Sequence, residues 1–278
     1  MTDRQQHVVD FYTRHPISAE HIVQSLQRKY GEFDTLAPAA LYEFDQDHYG
    51  GLAANQAIAE RIGLRPGQRV VDFCAGLGGP ARWFAAEHQV RVTGIEITPH
   101  RVAGARRLTE LTGLTGQVEI IEGDVMQVPL PDECADAVVS QEALLHVPDK
   151  SRAIAQAARI LIPGGRLCFT DWQRHRPLTA QEEAVMWQGI AAQQVYSTDQ
   201  YREAFGAAGL DVVSHDDLTD EWAVVLARRR DMYTALRADA LAAGKPAGDE
   251  HFYSAYVTLV ELVQQRVLGG VRWTVEKV

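Results

Sequence analysis

From Gln68 onward, short β-branched runs alternate with helical ones: RVVDFC, PARWFAAEH, VRVTGIE, PHRVAGARRLTELTG, QVEIIEG, ADAVVS, SRAIAQAARIL and GRLCFTDW. A chain with this alternation buries its strands in a parallel sheet covered by helices on both faces, so the pattern predicts an α/β fold of βαβ units. Before residue 66 the periodicity is helical, over Val8–Arg14, Ser18–Tyr30 and Leu52–Ile62, the last closed by Gly63. Residues 1–65 are therefore expected to form an N-terminal helical cap or lid, and 66–278 the core. Helices at 179–194 and 198–208 follow, then a strand at Leu210–Ser214. Two amphipathic helices come next, one with Trp222, Val225, Leu226, Tyr233 and Leu236 on a face, the other with Phe252, Tyr256, Leu259, Val263 and Val267. They make an inserted, substrate-covering segment at about 219–269 with its loop at 242–250, and GGVRWTVEKV closes the chain as a strand.

Charge narrows the partners. The 278 residues carry 27 basic and 37 acidic side chains, a formal net charge of -10, and a surface of that sign repels a polyphosphate. Nucleic acid is thereby a poor partner and a small molecule a better one. The start, MTDRQQHVVDFY, lacks a basic segment followed by an apolar run, and no stretch reaches the roughly 18 unbroken apolar residues of a membrane helix. The expectation is a cytoplasmic protein with no membrane partner; a homo-oligomer stays open. Cys74, Cys134 and Cys168 show no CxxC spacing and are expected to be buried, reduced thiols rather than metal ligands.

The chemistry concentrates at VVDFCAGLGG, residues 70–79, where a strand runs into a glycine-rich turn opening a helix. Gly76, Gly78 and Ala81 fit the G-x-G-x-x-G/A spacing of nucleotide-cofactor loops, which keeps an NAD(P)-dependent oxidoreductase as an alternative. Asp72 discriminates. A fixed carboxylate beside this loop opposes a pyrophosphate, whereas a cofactor carrying a sulfonium and an ammonium group gains from it. Glu96, 20 residues beyond Gly76, ends the second strand where a carboxylate can accept two ribose hydroxyls, a role shared by both cofactor hypotheses. Gly123-Asp124-Val125 follows the third strand, where Asp124 could accept an adenine amine. No Tyr-x-x-x-Lys pair occurs in the second half to serve a hydride-transferring enzyme.

These residues carry a family resemblance. DFCAGLGGP, GIEITP, GDVMQVPLPDECADAV, SQEALLHVPD and LIPGGRL resemble class I S-adenosylmethionine-dependent methyltransferases over about residues 66–172. SQEALLHVPDK and the long C-terminal helices are most similar to the small-molecule branch that includes sarcosine and dimethylglycine N-methyltransferases and natural-product methyltransferases. The resemblance implies a Rossmann-like, mostly parallel sheet with its last strand antiparallel, S-adenosyl-L-methionine as donor and S-adenosyl-L-homocysteine as product. It implies Asp72, Ala75 and Gly76 at the methionine moiety, Glu96 at the ribose, and Asp124 with Val125 at the adenine. Gly78, Ile97 and Gly123 complete the cofactor set, and Gln141 and His146 line the wall near the sulfonium. The acceptor atom, N, C or O, stays open.

On the acceptor side LYEFDQDHYGG, residues 41–51, is the densest polar-aromatic stretch and is expected to act as a lid or acceptor wall through Tyr42, Asp47, His48 and Tyr49. Trp172 and Tyr196 are candidate aromatic walls. If the acceptor must lose a proton, His146 and His48 are the candidate general bases. The Arg228-Arg229-Arg230 run is expected to be a solvated helix face, although one member could hold a substrate carboxylate. A non-catalytic cofactor-binding module is the third reading, and an enclosed acceptor site argues against it.

Overall fold

The computed structural model describes residues 3–13, 17–242 and 250–278. Seven strands, β1 (Arg69–Phe73), β2 (Arg91–Glu96), β3 (Val118–Glu122), β4 (Ala135–Gln141), β5 (Leu161–Arg174), β6 (Leu210–Asp217) and β7 (Leu268–Lys277), form one sheet in the order β3-β2-β1-β4-β5-β7-β6. All neighbours pair in parallel except β7, which runs antiparallel to both β5 and β6. The fold is thus the expected mostly parallel α/β sheet. Its order reverses between β1 and β4, the place where an open sheet leaves a crevice beyond its strands' carboxyl ends.

Among the described residues ten α-helices surround it: α1 (Asp3–Thr13), α2 (Ala19–Tyr30), α3 (Gly51–Ile62), α4 (Gly79–His88), α5 (Pro99–Leu111), α6 (Lys150–Ile160), α7 (Ala180–Ile190), α8 (Thr198–Ala207), α9 (Thr219–Ala242) and α10 (Glu250–Gln264). Successive strand residues point to opposite faces, so each strand feeds two cores. Val71, Phe73, Val138 and Phe169 pack under α6 and α8 with Ile154 and Phe205. Val70, Val92 and Val139 pack on the other face with Ile58 of α3, Phe84 of α4 and Val102 of α5. A third core, Trp172, Met186, Trp222, Leu226, Tyr256, Leu259 and Val263, fastens α7, α9 and α10 over the end of β5. Ile22, Leu26 and Leu41 seat the cap on Leu77 and Leu108.

Some boundaries differ from expectation. The helix expected over 179–194 stops at Ile190, because Ala191 turns left-handed (φ 52) and Gln193 donates its N–H to the Leu145 carbonyl at 2.7 Å. β6 runs three residues further, held by pairing with β7 to Val271. Val267 lies in the turn after α10. Arg14, residues 243–249 of the expected loop, and the side chains of Leu236 and Phe252 lie outside the described residues. Among the described residues no helix is long and apolar enough to cross a membrane. Cys168 is buried as expected, whereas Cys74 and Cys134 are only partly so; all three are free.

Candidate active site

Leaving β1, the backbone takes left-handed conformations at Cys74 (φ 59), Gly76 (φ 56) and Gly78 (φ 75). A non-glycine residue held there stores strain, a common mark of a functional turn. Glu96 fastens the coil from the neighbouring strand: its Oε2 accepts the Gly76 N–H at 2.9 Å and its Oε1 the Thr98 N–H at 2.8 Å. Asp124 accepts the Met126 N–H at 2.8 Å and the Gln5 side-chain amide of α1 at 2.7 Å.

These elements enclose a cavity at the carboxyl edge of β1, β2 and β4, lined by Asp72, Ala75, Gly76, Glu96 and Ile97 from one side. Gly123, Asp124, Val125, Gln141 and His146 line the other, and Gln5, Val8 and Tyr12 of α1 roof it. Asp72 is buried, and its Oδ2 has no hydrogen-bond partner. Burial, with the Glu96 charge nearby, pushes its pKa up to about 8. Gly78 is a correction to the expected cofactor set: it does not line the cavity but caps α4, where a Cβ would come within 2.9 Å of Arg82.

A second cavity adjoins the first, walled by Phe11, Tyr49, Trp172, Arg229, Tyr233 and Tyr256. The two share Tyr12, Asp47, Glu142 and His146. Glu142, the residue after β4, is left-handed (φ 47), its N–H bonded to the Thr170 carbonyl at 2.8 Å. Its carboxylate accepts the Tyr49 N–H at 2.6 Å and the Thr170 hydroxyl at 2.5 Å. Burial raises its pKa to about 7 against those two hydrogen bonds and the Arg229 charge. That is the range in which a carboxylate works as a general base.

The expected bases are differently placed. His146 does stand between the cavities, but its Nδ1 faces the Ala191 carbonyl at 3.1 Å, and its Nε2 faces the Tyr12 hydroxyl at 2.7 Å. A carbonyl only accepts, so Nδ1 carries the proton and Nε2 is occupied by the tyrosine. Burial lowers the pKa to about 4. His48 lines the first cavity, packed between Gln46 (3.0 Å) and the Tyr49 carbonyl (3.2 Å), and burial lowers its pKa to about 4 as well.

The segment 41–51 is structural in its first half. Asp45 forms a buried ion pair with Arg82 at 2.9 Å, and a Cβ on Gly79 would overlap the Asp45 carbonyl, so this stretch is clamped to the first turn of α4. Tyr42, expected on the acceptor wall, instead points to Glu87 at 2.9 Å and lines neither cavity. Tyr196 is a second correction: it bonds Ser151 at 3.1 Å and packs on Tyr201, on the far side of β5. Asp47, Tyr49 and Trp172, expected on the acceptor wall, line the second cavity. Three residues of these cavities were missed from the sequence: Tyr12 on α1, Arg101 of α5, which stacks 4.1 Å over the Tyr12 ring, and Glu142. Glu142 alone left a clue, a carboxylate one position past a strand's end.

Comparison with known proteins agrees with this geometry. A model of the methyltransferase domain matches residues 71–169. A 27-O-demethylrifamycin SV methyltransferase of Amycolatopsis mediterranei is 33% identical over 187 residues, 66% of this chain and 69% of that protein. A sterol 24-C-methyltransferase of Gibberella zeae is 32% identical over 173 residues, 58% of this chain but only 44% of the relative's length. In fold, a candidate sarcosine dimethylglycine methyltransferase from Galdieria sulphuraria superposes with a TM-score of 0.75 at 18% identity, covering 93% of this chain and 98% of the other. The oxidoreductase alternative left open by the glycine turn finds no support in these relatives. A strand-to-helix glycine turn ringed by acids, on this sheet and with this likeness to its relatives, identifies the chain as a member of the S-adenosylmethionine-dependent methyltransferase family.

Proposed function

We propose that this chain is an enzyme that moves a methyl group from S-adenosylmethionine to a small-molecule acceptor, with Glu142 taking any proton the acceptor must lose. One observation carries the reading: a cavity ringed by strand-end carboxylates meets an aromatic cavity at a shared wall of Tyr12, Asp47, Glu142 and His146. The donor fits the first cavity. The unpartnered Asp72 oxygen suits its ammonium group, Glu96 its ribose, and Asp124 with Val125 its adenine. When bound, the donor supplies an electrophilic methyl on a positively charged sulfur.

The chain's own work is alignment, exclusion of water and proton removal. α1 closes both cavities, bonded to Asp124 through Gln5 and to His146 through Tyr12. The cap of residues 1–65 thus acts as a cover through its first helix, and the 219–269 segment supplies the acceptor side through Arg229, Tyr233 and Tyr256. Ionised Glu142 accepts a proton from an O–H, N–H or C–H acceptor; an amine already neutral needs only positioning. A cytoplasmic setting and an acceptor other than nucleic acid go with the net charge of -10 and three free thiols.

Incubation with S-adenosylmethionine and a panel of amines, amino acids, indoles and phenols tests the reading, with mass spectrometry watching for one added methyl group. Calorimetric titration showing no binding of the donor would overturn it. Asp72 makes the donor's affinity depend on pH. Below about 8 the carboxyl is protonated in the free protein and offers an ammonium group no charge. Affinity should therefore tighten by up to about tenfold per unit as pH rises from about 6 toward 8. Asp72→Asn should bind weakly at every pH and flatten the profile; an unchanged slope in that variant would assign the titration to another group.

A further inference from the structure

Arg229 sits within a run of three arginines on α9, and its neighbours behave as a solvated face should. Arg228 is exposed, and Arg230 pairs with the adjacent Asp231 at 2.8 Å. Arg229 does not follow them. It turns into the acceptor cavity, half-buried, with its guanidinium 4.7 Å over the Tyr49 ring and Tyr233 and Tyr256 in the same wall. Its hydrogen bond goes to the His48 carbonyl at 3.2 Å. Among the described residues no carboxylate stands within ion-pair distance of it.

The two carboxylates of the cavity are committed elsewhere. Asp47 faces Arg101 at 3.5 Å, and the Glu142 oxygens hold the Tyr49 N–H and the Thr170 hydroxyl. A guanidinium offers five N–H donors in a planar fork, and one protein carbonyl with one aromatic face leaves most of them unused. Asp47 and Glu142 reach this cation only through space and not by a hydrogen bond, so a bound oxyanion would add two parallel charge-assisted hydrogen bonds that the protein itself does not supply.

We propose that Arg229 recognises an oxyanion, a carboxylate or a phosphate, on the acceptor, so that this enzyme's substrate is an anionic small molecule held at one end by Arg229 and presented at the other to Glu142. The assignment rests on the methyl-transfer reading. It assigns Arg229 to substrate selection rather than to the reaction, because the aromatic cavity and not the donor cavity contains it.

The test uses the full chain saturated with S-adenosylhomocysteine and two matched probe pairs, tyrosine against tyramine and phosphoethanolamine against ethanolamine, with binding read by calorimetry. In the wild-type protein the anionic member of at least one pair binds tighter by about tenfold to a hundredfold, the effect of a charge-assisted pair of hydrogen bonds. The pair showing the preference names the anion. Arg229→Met removes the preference, Arg229→Lys restores part of it, and both keep wild-type affinity for S-adenosylmethionine and the wild-type thermal midpoint. Equal affinity within both pairs, no binding of either anionic probe, or a preference surviving in Arg229→Met overturns the assignment alone. Failure of the wild-type protein to bind S-adenosylmethionine overturns the methyl-transfer reading and this assignment together.

Discussion

Replacing Glu142 by glutamine lowers the rate of methyl transfer by about 10²–10⁴ at neutral pH for any acceptor that must lose a proton. The amide keeps the volume of the side chain, its oxygen accepts the Tyr49 N–H and its NH2 donates to the Thr170 hydroxyl, so the strained turn after β4 stays in place while the basic site is lost. The sign of the pH effect follows from burial, which lifts this carboxyl to about 7. The ionised, proton-accepting form grows as pH rises through that value, so the wild-type profile has a limb rising near pH 7 that the glutamine variant lacks. Substituting His146 by asparagine should cost less than about tenfold and keep the limb, because its ring is pushed down to about 4 and both nitrogens face partners. If the histidine variant erases the limb and the glutamine variant keeps it, the roles are reversed. Side-by-side pH–rate profiles of the two variants decide the matter.

The largest loss of stability is expected beneath the acceptor cavity. Lys150 and Asp171 are fully buried and joined at 2.5 Å, and the Tyr201 hydroxyl bonds both. The other Asp171 oxygen accepts the Leu145 N–H at 3.1 Å, in the turn that carries His146. Asp171→Ala leaves an ammonium group buried without its counter-charge, and should lower the unfolding free energy by about 3–5 kcal/mol. That is a large share of the roughly 5–15 kcal/mol of a typical domain. Replacing the group as a whole, Lys150→Met with Asp171→Leu and Tyr201→Phe, removes the buried charges together. The orphaned Leu145 N–H then costs about 1–3 kcal/mol. Urea unfolding of both variants checks the ordering. A triple variant as unstable as the single one would show that packing volume, and not charge, dominates here.

What could be read from the residues alone follows the range of the forces involved. The sheet was legible because strand and helix periodicities are local, and Asp72, Glu96 and Asp124 because each lies within two residues of a strand's end, beside a turn. Glu142, Tyr12 and Arg229 come from β4's end, α1 and α9, and meet through tertiary packing that no spacing records. The segment 41–51 misled in part, for a physical reason: some of its polar groups are dense because they are buried, Asp45 against Arg82 and His48 against Gln46, and burial demands partners, while Asp47 and Tyr49 do line the second cavity. Tyr42 and Tyr196 were misplaced because an aromatic beside a loop has two faces of the fold open to it.

The first helix touches both cavities, through Gln5 at Asp124 and Tyr12 at His146, and this gives the two ligands a common account with the protein. Whichever ligand arrives first and holds α1 down has already met the conformational entropy of docking it, so the second binds more tightly by the same factor in either order. Donor and acceptor are then thermodynamically coupled through α1 as well as through the reacting atoms, and a substitution on α1 that contacts neither would change their cooperativity and each affinity alone together.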